Sequence, residues 1–139
     1  MINIYFCASI SGGRADAPVY REMIGYLKTY GRVLTEHIGQ LDVLGEKDMA
    51  DQEIHDRDVD WMRSADVVIA EVTQPSLGVG YELRLAVELE KPVLCLYHPR
   101  DGRRLSGMIA GAPGIQTVRY HELSEALKQI EKFLKIHNP

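Results

Sequence analysis

Residues 65–83 read ADVVIAEVTQPSLGVGYEL, and this stretch decides the predicted fold. Its first part, Asp66–Ala70, is a continuous apolar and β-branched run, which is typical of a strand buried on both faces. The middle part, Glu71–Val79, contains a proline and a glycine and is predicted to be a loop. The last part opens a helix over Gly80–Glu90, with apolar residues at helical spacing. A buried strand followed by a loop and a helix is the repeating unit of α/β proteins.

The rest of the chain continues this alternation on both sides of that stretch. The predicted strands are Ile2–Cys7, Arg32–Thr35, Pro92–Tyr97 and Ile115–Arg119, and the predicted helices are Pro18–Tyr30, Asp51–Ser64, Arg103–Ile109 and His121–Ile136. Gly31 is expected to end the first helix, and residues 36–49 are expected to form a loop. We therefore predict an α/β fold in one domain over residues 1–139. The predicted architecture is a doubly wound, flavodoxin-like or Rossmann-like sheet of about five parallel strands with helices on both faces. Ligands of such sheets bind beyond the carboxyl ends of the strands.

Composition and charge exclude several classes of protein. Of 139 residues, 45% are hydrophobic and 26% are charged, and the net charge is -4. This acidic balance disfavours a broad nucleic-acid surface but does not exclude a local phosphate pocket. No apolar run approaches the ~20 residues of a membrane span, and the amino terminus lacks a signal-peptide pattern. Cys7 and Cys95 lie in predicted strands and are expected to be reduced core residues of a cytoplasmic protein.

Two carboxylates fall where apolar residues are expected. Asp58 lies on the same helical stripe as Ile54 and Trp61, which places it on or beside an apolar face. The alternative is an edge position, with Asp58 paired to Arg57 or Arg63. The sequence alone leaves both interpretations open.

Glu82 is the second such carboxylate, on the same face of its predicted helix as Leu85 and Ala86. It is expected in the first turn, where the helix dipole favours an ionised carboxylate by roughly 0.3–1 kcal/mol. The alternative is a glutamate that merely caps the helix. Two inward carboxylates on neighbouring helices beside one cleft are the groups that glycosidic bond cleavage needs.

Two loops at the predicted ligand-binding edge are suited to bind an anion. Ser9–Arg14 (SISGGR) follows the first strand, and Ser76–Gly80 (SLGVG) leads into the Glu82 helix. Small residues let backbone N–H groups approach a phosphate, and Arg14 adds positive charge. Either loop taken alone is as well explained as an ordinary turn. His37 and His55 lack the spacing of metal ligands, so no metal site is predicted.

Several segments together resemble the nucleoside 2-deoxyribosyltransferase family, and within it the enzymes that hydrolyse 2′-deoxynucleoside 5′-monophosphates. The segments are Ile4–Ile10 with Gly12-Gly13-Arg14, Leu34–His37, Asp58–Trp61, Ala65–Leu83 and Leu105–Ile109. The long Ala65–Leu83 block is the most specific of them. The family fold is the doubly wound sheet predicted above.

The resemblance implies a role for each matching residue. Glu82 matches the nucleophile that attacks the anomeric carbon, Asp58 the carboxylate that assists the leaving base, and Tyr5 the tyrosine that positions the nucleophile beside the sugar. Nucleotide and phosphate contacts are implied for Ser9, Ile10, Gly12, Gly13, Arg14, Ser76 and Gly78. In the family, the residues matching Ser106 and Met108 come from the partner subunit of a homodimer.

The implied reaction is hydrolysis of a 2′-deoxyribonucleoside 5′-monophosphate to the free base and 2-deoxyribose 5-phosphate, without a metal or redox cofactor. A retaining route would place the two carboxyl groups roughly 5–5.5 Å apart. Asp58 would protonate the base if apolar neighbours favour its neutral form. The alternatives are a deoxyribosyltransferase, which shares the nucleophile, and a non-catalytic nucleotide-binding module. Ala8 and Ser11 depart from the family pattern, which has glycine and a basic residue there.

Overall fold

The five strands of the computed structural model, which describes residues 1–10, 15–39, 46, 48–100 and 102–138, form one parallel sheet. They are β1 (Ile2–Cys7), β2 (Gly31–Val33), β3 (Val67–Glu71), β4 (Val93–Tyr97) and β5 (Ile115–Arg119). Their spatial order is β2-β1-β3-β4-β5, with every neighbouring pair parallel. This is the flavodoxin-like order of a doubly wound sheet, so the predicted fold class is confirmed.

Helices cover both faces of the sheet. They are α1 (Ala17–Leu27), α2 (Asp51–Ser64), α3 (Leu77–Glu88), α4 (Gly107–Ala110) and α5 (Leu123–His137), and a 3₁₀ turn spans Glu36–Gly39. Side chains of β1 alternate between two cores, because successive residues of a strand point to opposite faces. Ile4 and Phe6 pack with α1 and α5, whereas Tyr5 and Cys7 pack with α2 and α3. The second of these cores contains the candidate site.

Most predicted elements are present, with boundaries shifted by a few residues. The prediction for Gly31 is wrong in detail, because the first helix ends at Leu27 and Gly31 begins β2. A Cβ at Gly31 would lie 2.3 Å from the carbonyl oxygen of Ile2, so close pairing with β1 requires glycine at this position.

The start of α3 corrects a prediction that matters for the site. The helix begins at Leu77 rather than Gly80, because the Ser76 hydroxyl caps it by accepting a hydrogen bond from the Val79 N–H at 3.3 Å. Ser76–Gly80 is therefore mostly helical rather than a loop. Glu82 lies in the second turn of α3, where the dipole of the helix amino terminus has little effect.

Some predicted features lie outside the described residues. They include Gly12, Gly13 and Arg14 of the first loop and most of residues 40–47.

The short helix predicted over Arg103–Ile109 is observed as α4, which starts four residues later behind the capping hydroxyl of Ser106. Among the described residues, no helix is both long and apolar enough to cross a membrane.

Candidate active site

Tyr5 and Glu82 meet across the core between the sheet and α3. Tyr5 is buried on the face of β1 that packs against α2 and α3. Its hydroxyl donates a hydrogen bond to Glu82 Oε2. The contact that the sequence analysis expected between these two side chains is present, and it holds one oxygen of the carboxylate in a fixed position.

Glu82 and Asp58 share a small cavity, which we call the Glu82 cavity. Its volume is about 150 Å³, and it is lined by Tyr5, His55, Asp58, Val59, Met62, Gly78, Tyr81, Glu82 and Leu85. The walls are mainly apolar, and the two carboxylates reach it from neighbouring helices. An apolar cavity with a few convergent polar groups is the usual form of a small-molecule site.

Burial controls the ionisation of Glu82. Desolvation raises the pKa of Glu82 from 4.5 to about 7, opposed by the hydrogen bond from Tyr5 and reinforced by the charge of Asp58. Burial also raises the pKa of the Tyr5 phenol well above its ordinary value, with the Glu82 charge adding to it. Tyr5 therefore stays a hydrogen-bond donor at neutral pH, whereas Glu82 titrates there.

Cys7 lies on the same face of β1 as Tyr5, two residues further along the strand, and it is fully buried. Desolvation raises the pKa of the Cys7 thiol, and the nearby Glu82 carboxylate raises it further. The thiol therefore remains protonated beneath the candidate nucleophile.

Asp58 lines the Glu82 cavity and is also paired with a basic side chain. Its Oδ1 accepts a hydrogen bond from Arg57 Nε at 2.8 Å, and its side chain is 22% exposed. Both interpretations of the sequence therefore hold together, since Asp58 lines the cavity and is also paired with Arg57. Asp58 therefore has a guanidinium neighbour as well as the apolar walls of the cavity.

Arg57 links Asp58 to further charged and aromatic groups. Its Nη2 donates to Glu46 Oε1 at 2.6 Å, and the guanidinium carbon lies 4.7 Å from the centre of the Trp61 ring. Glu46 Oε1 also lies 3.0 Å from His37 Nε2, and the His37 ring lies 5.7 Å from that of Trp61. We call His37, Glu46, Arg57 and Asp58 the charged cluster.

The predicted phosphate-binding residues are found in several places. Ser9 is fully buried at the end of β1, and Ile10 packs against the core formed with α1 and α5. Ser76 caps α3, and Gly78 lines the Glu82 cavity. The positions of Gly12, Gly13 and Arg14 are not among the described residues.

Ser106 and Met108 are not brought to the Glu82 cavity of their own chain. They lie at the start of α4, in a separate groove of about 1080 Å³ that Ser76, Arg103 and Leu77 also line. The side chains of Met108 and Leu77 are 84% and 97% exposed.

The sequence analysis missed most of the charged cluster. The sequence indicates Arg57 only as an alternative partner for Asp58. It indicates His37 only as the end of a segment that resembles the family, without the spacing of a metal ligand. A usable signal existed for His37, which closely follows a short strand at the ligand-binding edge of the sheet. His55 was also missed, and its Nε2 lies 2.9 Å from the Tyr81 hydroxyl at the rim of the cavity. Within the described ranges, no group of three His, Cys, Asp or Glu side chains is arranged to hold a metal.

Comparison with known proteins identifies the family. Residues 4–130 match the model of the nucleoside 2-deoxyribosyltransferase family. The chain is 57% identical over 114 residues to the 5-hydroxymethyl-dUMP N-hydrolase of Tetraodon nigroviridis, covering 80% of each chain. It is 56% identical over 113 residues to the enzyme of the same name from Rattus norvegicus, covering 79% of this chain and 69% of that one. The protein therefore belongs to the nucleoside 2-deoxyribosyltransferase family.

A solved structure supports the fold. The CMP N-glycosidase of Clostridium botulinum superposes with a TM-score of 0.70, covering 95% of this chain and 99% of that one. The two sequences are 16% identical, so this similarity concerns the architecture alone.

Proposed function

We propose that this protein hydrolyses the N-glycosidic bond of 2′-deoxyribonucleoside 5′-monophosphates, and that 5-hydroxymethyl-dUMP is the first substrate to test. The observation that carries the proposal is the Glu82 cavity, in which Tyr5 holds Glu82 opposite Asp58. The names of the relatives at 56–57% identity support this choice of bond and substrate.

Glu82 is the proposed nucleophile. Because Tyr5 holds Oε2, the other oxygen, Oε1, is the one proposed to attack C1′ of the sugar. The C1′–N bond breaks as the C1′–O bond of a glycosyl ester forms, and the base leaves with the bonding electron pair. Water then attacks C1′ and releases the Glu82 carboxylate.

Asp58 is proposed to assist at the base. As a general acid it would give its proton to the departing base and recover one from the attacking water, which balances the two steps. Asp58 also accepts a hydrogen bond from Arg57, so leaving-group dependence is the decisive measurement.

Gly78 is proposed to leave space for the sugar. A Cβ at this position would lie 4.0 Å from Glu82 Oε1 and 3.8 Å from Ser76 Oγ. A larger side chain would extend from that point into the space beside the attacking oxygen. The phosphate is proposed to bind at Ser9, Ile10, Gly12, Gly13, Arg14 and Ser76.

A homodimer with shared sites is also proposed, with Ser106 and Met108 of one subunit reaching the site of the other. Exposed Met108 and Leu77 beside one groove support it, since buried apolar area is the main driving force of association.

The cytoplasm is the proposed compartment, because Cys7 and Cys95 are buried and unpaired.

Transfer of deoxyribose to a second base is the competing function, and the description of the matching family model favours it. A transferase that acts on nucleosides needs no phosphate site. The substrate phosphate therefore separates the two functions.

The test compares 5-hydroxymethyl-dUMP, its ribonucleotide and its unphosphorylated nucleoside, each with and without a second free base, with products separated by chromatography. Two or three charge-assisted hydrogen bonds at roughly 1.5–3 kcal/mol each make the phosphate worth ~10²-fold or more in kcat/KM. Glu82→Gln is the control for contaminating activity. Equal cleavage of the free nucleoside would contradict the phosphate site, and a new nucleoside in the presence of a second base would favour transfer.

A further inference from the structure

Two other carboxylates, Asp58 and Glu46, act on Glu82 through their charge. Asp58 and Glu46 both raise the pKa of Glu82, in addition to the larger effect of burial. Tyr5 and Cys7 face Glu82 from β1 as hydrogen-bond donors, but neither carries positive charge. Some group must therefore compensate the two neighbouring carboxylates if Glu82 is to ionise near neutral pH.

Arg57 is placed to provide that compensation. It is hydrogen-bonded to both carboxylates, at 2.8 Å to Asp58 and 2.6 Å to Glu46. Only 22% of its side chain is exposed, so solvent screens these contacts less than it screens surface ion pairs. Its contacts with the Trp61 ring and with Met49 Sδ, at 3.3 Å, fix the guanidinium in this position.

We propose that Arg57 is a positioning residue that holds Asp58, which lines the cavity, and Glu46 in one charge-compensated group and thereby supports Glu82 as a nucleophile. The proposal rests on the proposed function for its kinetic consequence only. Its electrostatic consequence can be measured without turnover.

His37 and Trp61 provide that second measurement. The pKa of His37 is lowered, first by burial and then by the Arg57 charge, against the opposing effects of Glu46 and Asp58. Trp61 is the single tryptophan of the chain, and the His37 ring lies 5.7 Å from it. Protonation of His37 should therefore appear as a pH-dependent change in the intrinsic fluorescence of Trp61.

The experiment compares the wild type with Arg57→Gln, which removes the charge, and Arg57→Lys, which retains it. Arg63→Gln is the matched control, because Arg63 is on the same helix, its side chain is 65% exposed, and its guanidinium forms a surface ion pair with Asp60 at 3.7 Å. In each protein, kcat/KM is measured against pH with 5-hydroxymethyl-dUMP, and Trp61 fluorescence is titrated without substrate.

For Arg57→Gln we expect the midpoint at which kcat/KM rises with pH to move to higher pH by about one unit. At a pH below the midpoint kcat/KM should therefore fall about tenfold, and at a pH above it kcat/KM should change little. The fluorescence midpoint of His37 should move upward as well, because a neighbouring positive charge is removed. Arg57→Lys should restore both midpoints while lowering kcat, since an ammonium cannot bridge two carboxylates with the planar geometry of a guanidinium.

Glu46→Gln provides a second variant with the opposite sign. It removes a negative charge that raises the pKa of Glu82, so the rise of kcat/KM should move to lower pH.

The proposal is overturned if Arg57→Gln lowers the rate by the same factor at every pH, or if it leaves the fluorescence midpoint of Trp61 unchanged. A wild type that does not cleave the substrate would contradict the proposed function, and the fluorescence titration would still decide the role of Arg57.

Discussion

The hydroxyl of Tyr5 donates a hydrogen bond to Glu82 Oε2, although the two residues are 77 positions apart in the chain. Parallel pairing of β1 with β3 brings Tyr5 beside the strand that precedes α3, and packing of α3 on that face brings Glu82 to the phenol. The carboxylate is thus buried and held at Oε2 by the phenol.

Glu82→Gln should abolish turnover, with a loss of several orders of magnitude, because the covalent step cannot occur without the carboxylate. Single-turnover assays with 5-hydroxymethyl-dUMP measure the loss, and circular dichroism verifies that the variant is folded. Near-normal activity in a folded Glu82→Gln protein would end the assignment of the nucleophile.

The pH dependence of catalysis should follow the ionisation of Glu82. Burial raises the pKa of Glu82 to about 7, and the ionised form is the one that attacks. In the free enzyme kcat/KM should therefore rise through about pH 7 rather than near pH 4.5, the ordinary value. The range from pH 5 to pH 8 extends about two units below and one unit above the expected midpoint. A kcat/KM that is constant over this range would contradict the prediction.

The same shift predicts an effect on stability. Because the folded-state pKa of Glu82 lies above its unfolded value, ionisation opposes folding, with no cost below about pH 4.5 and the full cost above about pH 7. A difference of about 2.5 units corresponds to up to about 3 kcal/mol. Thermal denaturation should show Glu82→Gln to be more stable than the wild type by several degrees at pH 8, and the gain should shrink toward pH 5. An equal gain at both pH values would indicate better packing instead.

Asp58→Asn should discriminate between leaving groups. If Asp58 protonates the base, the variant should lose ~10²–10⁴-fold with poor leaving groups and much less with activated bases. The comparison uses deoxynucleotides whose bases differ in acidity. An equal loss for all bases would mean that Asp58, paired with Arg57, acts only as a fixed carboxylate.

Tyr5→Phe should weaken the preference for deoxyribose over ribose. The Tyr5 ring borders the Glu82 cavity, and a 2′-hydroxyl there would compete for the Tyr5–Glu82 hydrogen bond. The measurement is the ratio of kcat/KM for a deoxynucleotide and its ribonucleotide, in the wild type and the variant. If the ratio is unchanged, Tyr5 does not determine the sugar preference.

Shared sites in a homodimer should allow two inactive variants to complement each other. A mixed dimer of Glu82→Ala and Ser106→Ala subunits contains one intact site, formed by Glu82 of one chain and Ser106 of the other. Random mixing should restore about a quarter of the wild-type activity, because half of the dimers are mixed and each has one working site of two. If Ser106→Ala alone is inactive and mixed dimers form without activity, Ser106 does not reach the site of the partner subunit.

The sequence by itself determined the architecture. The apolar run at Asp66–Ala70 and the regular stripe of α2 are local patterns, since a strand or an amphipathic helix shows its buried face in the spacing of its own residues. The prediction of α2 matches its observed bounds, and the alternation of elements was sufficient for the parallel sheet. The candidate carboxylates were also visible, because Asp58 and Glu82 interrupt apolar stripes.

Only the tertiary structure decided how those carboxylates are surrounded. The pairing of Asp58 with Arg57, the link through Glu46 to His37, and the cap that moves the start of α3 to Leu77 all depend on side-chain geometry that residue spacing does not encode. The ionisation of Glu82 is decided in the same way. Its pKa depends on burial, on the hydrogen-bond donors of β1 and on the charges of Asp58 and Glu46, and these come together only when the chain has folded.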